Sequence, residues 1–200
     1  MMSSGEAKAW KILKGLDSAT VCRNAQAAFD ATSGVYLLRS FGMDVSIDPF
    51  NERILSDAQD GTLLLDKLGY FSRLPILWYL TGARNIPLSG RLVRPVNLKG
   101  GHTFFRGTHV LPLERLASRY GNSTEEFVGR AEQLGGRRLN YGDASIELFP
   151  LPSIPVVLIL WRGDEEFPAR ADLLFDSTSE FHLALDMLWS TAMTSILIML

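Results

Sequence analysis

The stretch VVLILWRGDEEFPARADLLFD, Val156 to Asp176, decides the fold class. Val156 to Trp161 is apolar on both faces, the pattern of a central strand covered on two sides. Arg162-Gly163-Asp164-Glu165-Glu166 is a charged turn. Beyond it Ala169, Ala171, Leu173 and Phe175 alternate with Arg170, Asp172, Leu174 and Asp176. That is a hairpin partner with one core face and one charged face. Upstream, Ser145 to Phe149 alternates weakly, and Val35 to Ser40 and Asp44 to Asp48 flank a hairpin at Phe41-Gly42-Met43.

The rest reads as helix and loop. Ala7, Trp10, Leu13 and Leu16 share one helical face, and Asp17-Ser18 starts a second stripe of Val21, Cys22, Ala25 and Phe29. Leu63 to Leu80 reads as two helices divided by Pro75, with Ser72 capping the second. Pro87 to Val110, rich in Gly, Pro and basic residues, reads as a long structured loop. Leu113 to Tyr120 and the capping box Ser123-x-x-Glu126 open two short helices, closed by Gly121 and Gly135. Ser177 and Glu180 form another such box ahead of an apolar C-terminal helix. Hairpin-length connections join the strands. The expected fold is therefore α+β, an antiparallel sheet packed by helices in a single domain over residues 1–200.

Composition excludes several function classes. The chain has 200 residues, 46% apolar and 21% charged, so extended disorder is excluded. A net charge of −2 argues against a generally basic nucleic-acid binder. One cysteine, Cys22, excludes an internal disulfide, a zinc ribbon and a self-contained iron–sulfur site. It lies in an apolar stripe and reads as a buried small hydrophobe. MMSSGEAKAW carries no apolar export segment, so a cytoplasmic location is expected. Leu183 to Leu200 is apolar but broken by Asp186, Ser190, Thr191, Thr194 and Ser195; it reads as a core helix, and no membrane partner is expected.

The charge is unevenly spread. Residues 84–140 hold ten basic side chains against four acidic ones; residues 141–200 hold two against nine. Either the first segment meets an anionic ligand or the two segments neutralise each other. Within it, Lys99-Gly100-Gly101-His102-Thr103-Phe104-Phe105-Arg106-Gly107-Thr108-His109 is the most informative run. Paired glycines can expose backbone amides beside Lys99 and Arg106, a cradle for phosphate or carboxylate. The bland alternative is a tight turn with solvated side chains. The order Lys-Gly-Gly is not a phosphate-binding Walker loop. His102 and His109 could serve as ligands or as a base, but their spacing is no metal signature, and no metal is assigned. Asp164, Glu165, Glu166, Asp172 and Asp176 read as a solvated tip and a cross-paired charged stripe rather than a cation site. A serine hydrolase is disfavoured, because no Gly-x-Ser-x-Gly elbow occurs.

Three strings carry a resemblance: GYFSRLPILWYLTGA (Gly69 to Ala83), IPLSGRLVRPVNLKGGHTFFRGTH (Ile86 to His109), and LNYGDASIELFPLP with ILWRGDEEFPARADLLFD (Leu139 to Asp176). The chain resembles an uncharacterised domain-of-unknown-function family of mostly anaerobic bacteria and archaea. Some relatives join this domain to a cysteine-rich iron–sulfur segment. The resemblance implies a redox or cofactor context and no catalytic residue; the cysteines for a cluster are absent here.

The leading functional expectation is an accessory domain binding an anionic small molecule or cofactor, of no assigned identity. Its candidate residues are Arg91, Arg94, Lys99, Gly100, Gly101, His102, Arg106 and His109. An enzyme using His102 or His109 as base, with Asp172 or Asp176 as partner, is the second hypothesis. A module docking partners through the C-terminal helix is the third. A histidine hydrogen-bonded to a carboxylate in a closed pocket marks the enzyme; an exposed apolar helix face marks the docking module.

Overall fold

The computed structural model describes residues 4–200. Helices α1 (Ser4–Lys14) and α2 (Ser18–Ala25) lead into a four-stranded antiparallel meander, β1 (Ala28–Asp30), β2 (Val35–Ser40), β3 (Met43–Asp48) and β4 (Arg53–Leu55). A π-helical turn, Leu63–Lys67, precedes α3 (Gly69–Gly82). Then come β5 (Leu92–Val93), α4 (Gly101–Phe104), α5 (Leu113–Tyr120), α6 (Thr124–Gln133), β6 (Arg137–Leu139), β7 (Ala144–Leu151), β8 (Ile154–Trp161), β9 (Arg170–Asp176) and α7 (Leu185–Leu197). The second sheet is antiparallel throughout, in the order β5-β9-β8-β7-β6. β8 is central and buried from Ile154 to Leu160, and it pairs with β9 from Val156↔Phe175 to Trp161↔Arg170. The fold is α+β as expected, with two sheets where one was read.

The two sheets share one hydrophobic cluster. Ser40 Oγ donates to Pro150 O at 2.7 Å, and Phe41 N–H to Phe149 O at 2.8 Å, tying the β2–β3 hairpin to β7. That hairpin turns on Phe41 and Gly42, at φ 48° and 71°. A Cβ on Gly42 would lie 2.9 Å from Gly135 Cα, so the turn packs against the end of α6 only because glycine faces glycine.

Several local readings are corrected. α2 ends at Gln26, at φ 52°, so Phe29 belongs to β1 and not to a helical stripe. α3 is one helix with Pro75 inside it; Ser72 is no cap, and its hydroxyl donates to Leu64 O at 2.6 Å. Neither later capping box closes. Ser123 makes no cap bond, and Glu126 pairs with Arg119 at 3.0 Å. Glu180 instead accepts the Lys99 N–H at 2.8 Å, and α7 starts only at Leu185.

α7 packs chiefly against α3 and reaches the sheet through β7, so its main neighbour is a helix. Its polar interruptions satisfy themselves: Thr191, Thr194 and Ser195 donate to the carbonyls of Met187, Ser190 and Thr191 at 2.8, 2.9 and 2.8 Å. Leu185, Trp189 and Met193 are partly buried and pack against the core. Among the described residues, no helix is long and apolar enough to cross a membrane.

The loop before β5 is strapped to the turn after β9. Buried Asp176 accepts from Ser89 N–H and Oγ at 3.2 and 2.8 Å, Gly90 N–H at 2.7 Å, and Thr178 N–H and Oγ at 2.9 and 2.6 Å. The alternation of β9 therefore fails at its last residue: Asp176 is a core acceptor, not part of the charged stripe. His182, also buried, accepts the Arg84 N–H on Nδ1 at 3.3 Å, which places the neutral ring's proton on Nε2. Among the described residues Nε2 has no hydrogen-bond partner, and neither has the buried Ser179 hydroxyl.

Burial, with the nearby Arg84, lowers the His182 pKa below its ordinary 6.5. Above pH 6.5 the ring is neutral folded and unfolded, and its contribution is intact. As pH falls below that value the unfolded chain takes up the proton first, so stability declines. Unfolding at pH 7.5 and 5.5 is expected to show a loss that shrinks in His182→Asn, whose carbonyl keeps an acceptor for Arg84. An unchanged loss in that variant contradicts the assignment.

Candidate functional site

The run 95–109 folds as three tight turns. A 3₁₀ turn, Pro95–Asn97, leads to Gly100 at φ 80°, then α4, then a second 3₁₀ turn, Gly107–His109. Gly101 is required by packing: a Cβ there would lie 2.1 Å from Pro95 O. Phe104 and Phe105 splay to opposite sides of this run. Phe105 is buried in a groove of about 310 Å³ with Arg94, Val110, Leu111, Asp172 and Leu173. Phe104 faces a cleft of about 440 Å³ between α1, the start of α3, α4 and the start of α7.

Rings dominate one wall of that cleft. His109 stacks on Phe104 at 4.2 Å and meets Trp189 edge-on at 5.0 Å. Phe71 braces Trp189 from behind at 5.6 Å. Tyr70 also lines the cleft and is 83% exposed. The Trp189 indole N–H is shielded from water and, among the described residues, has no acceptor. The charged lining is Glu6, Arg73 and Asp186. Arg73 Nε lies 3.9 Å from Glu6 Oε1, a loose pair, while Asp186 accepts the adjacent Met187 N–H at 3.0 Å.

The sequence-derived candidates do not converge. His109 alone enters the cleft. Arg94 lines the groove, 3.8 Å from Asp172. Lys99, His102 and Arg106 are exposed, with Arg106 donating to His102 Nε2 at 2.7 Å. Gly100 packs toward Leu185, and exposed Arg91 is engaged through its backbone by Ser89 and Ser177. The basic and acidic segments meet in part, through Arg94–Asp172, Arg137–Glu147 and the amides held by Asp176 and Glu180. Tyr70, Arg73, Asp186 and Trp189 escaped the sequence reading, because each sits in an element read as core helix.

Neither carboxylate expected beside a histidine is there. Asp176 is spent on amides and hydroxyls; Asp172 accepts from Trp161 Nε1 at 3.1 Å and faces Arg94 and Arg170. Among the described residues, none of the three histidines hydrogen-bonds a carboxylate. Nor is any group of three or more His, Cys, Asp or Glu residues among them placed to hold a metal ion. Cys22 is half-buried, and burial raises its thiol pKa.

Architecture and cleft together describe an α+β domain of two antiparallel sheets with a ring-walled depression between its helices. The chain belongs to the family described as Domain of unknown function (DUF3786), whose model matches residues 17–197. Glu6 and the rest of α1 lie outside the matched stretch. No curated protein and no solved structure matches the chain.

Proposed function

We propose that the protein binds a small molecule in the cleft between α1, α3, α4 and α7. The observation that carries this reading is a single depression combining a wall of rings with three charged side chains. Its volume falls in the range of small-molecule sites, roughly 300–1,000 Å³. The lining combines aromatic surface with charged groups, the composition of a binding site. The cleft also explains why His109 stacks on Phe104 instead of joining Lys99 and Arg106 outside.

The anionic ligand expected from sequence keeps a separate footing. Lys99 and Arg106 lie exposed on the outer face of the same run, and among the described residues neither has a carboxylate in ion-pair range. Calorimetric titration separates the two readings. Flat aromatic fragments are expected to bind the wild type and to lose affinity in Trp189→Leu and His109→Leu, while Arg106→Ala binds them normally. Inorganic phosphate tests the outer face: there Arg106→Ala is expected to cost about 1.5–3 kcal/mol, with Arg106→Lys recovering part. Fragment affinity unchanged in both folded cleft variants overturns the cleft reading. Phosphate affinity unchanged in both folded Arg106 variants removes the anion reading.

A further inference from the structure

We infer that the ligand of this cleft is a small organic cation carrying an aromatic ring, an inference that rests on the small-molecule reading above. Three charged side chains line the cleft besides His109, two carboxylates and one guanidinium. Arg73 already faces Glu6 at 3.9 Å. Asp186 is exposed and, among the described residues, has no cationic partner within 4 Å. A ligand carboxylate or phosphate reaching Arg73 would sit beside the Glu6 carboxylate and in the field of Asp186. A ligand cation meets an unpaired carboxylate instead.

The walls favour the same sign. Phe104, Trp189 and Tyr70 present aromatic surface within one cleft, and their ring faces carry the negative lobe of the quadrupole. A cation held over such faces is stabilised most where water is excluded. The ring of the ligand is matched by the same wall: the His109 ring, stacked on Phe104 at 4.2 Å, lines the cleft together with Tyr70 and Trp189. Carboxylate and rings thus select for charge and for flatness.

The test compares three single-ring probes of different charge: phenyltrimethylammonium, benzyl alcohol and benzoate. Calorimetry on the whole chain is expected to rank the cation first, by roughly tenfold over the neutral probe. Asp186→Asn keeps the side-chain shape and is expected to erase most of that preference, with the cation losing more affinity than benzyl alcohol. Thermal unfolding of the variant confirms that it is folded. Benzoate binding as tightly as the cation, or a preference that survives Asp186→Asn, overturns the inference while leaving the cleft as a site. Failure of all three probes, with other flat fragments binding the cleft, likewise rejects the organic cation alone. Failure of every fragment rejects the site and the inference together.

Discussion

Asp176→Ala is expected to destabilise the protein by about 3–5 kcal/mol, more than a surface carboxylate could. The carboxylate is 2% exposed and accepts from three amides and two hydroxyls. Removing it leaves those donors without an acceptor, in a strap that fixes where 84–99 runs. Burial raises its pKa, but the bonds from Thr178 and Ser89 outweigh burial, and the net shift is downward. Its contribution is therefore complete above about pH 4 and is lost as the pH falls further. Asp176→Asn should fall between. One oxygen can keep the Ser89 and Thr178 bonds, while the amide nitrogen confronts the Gly90 N–H. Urea unfolding of both variants checks the order; equal stability of Asp176→Ala and wild type would sink the account of the strap.

Leu188→Ala, in the middle of α7, is expected to cost about 2–5 kcal/mol. Leu188 is fully buried where α7 meets the core, and close-packed surroundings recover little of the lost volume. The unfolding midpoint should fall while the dependence on denaturant stays constant, since the exposed surface hardly changes. A shift within 0.5 kcal/mol, the usual range for surface substitutions, would place α7 outside the core.

The parts of this fold that sequence discloses are those with long, one-sided patterns. β8 and β9 are legible because apolar and alternating runs of six or more residues admit few other readings. β1, β4 and β6 are three residues each and carry no period, so half of the first sheet stayed hidden. The capping boxes misled because their acids found distant partners: Glu126 took Arg119, and Glu180 took an amide 81 residues away. Candidate-site legibility followed the same rule. Gly100, Gly101 and the basic residues around them stood out by composition, and at Gly101 close packing against Pro95 O by itself requires glycine. The cleft joins Glu6, Arg73, His109 and the Asp186–Trp189 pair of α7, four separate segments that no local spacing connects. Asp186 was visible only as a blemish in an apolar helix.

The most direct measurement is a map of backbone amide shifts as a flat aromatic fragment is titrated into the labelled protein. Bound in the cleft, the fragment moves amides at 69–74, 104–109 and 186–190 together, with the Trp189 indole N–H among the largest changes. Shifts confined to the outer face around Lys99 and Arg106, shifts in the groove beside Arg94 and Val110, or no saturable shifts with any fragment would contradict the cleft as the ligand site.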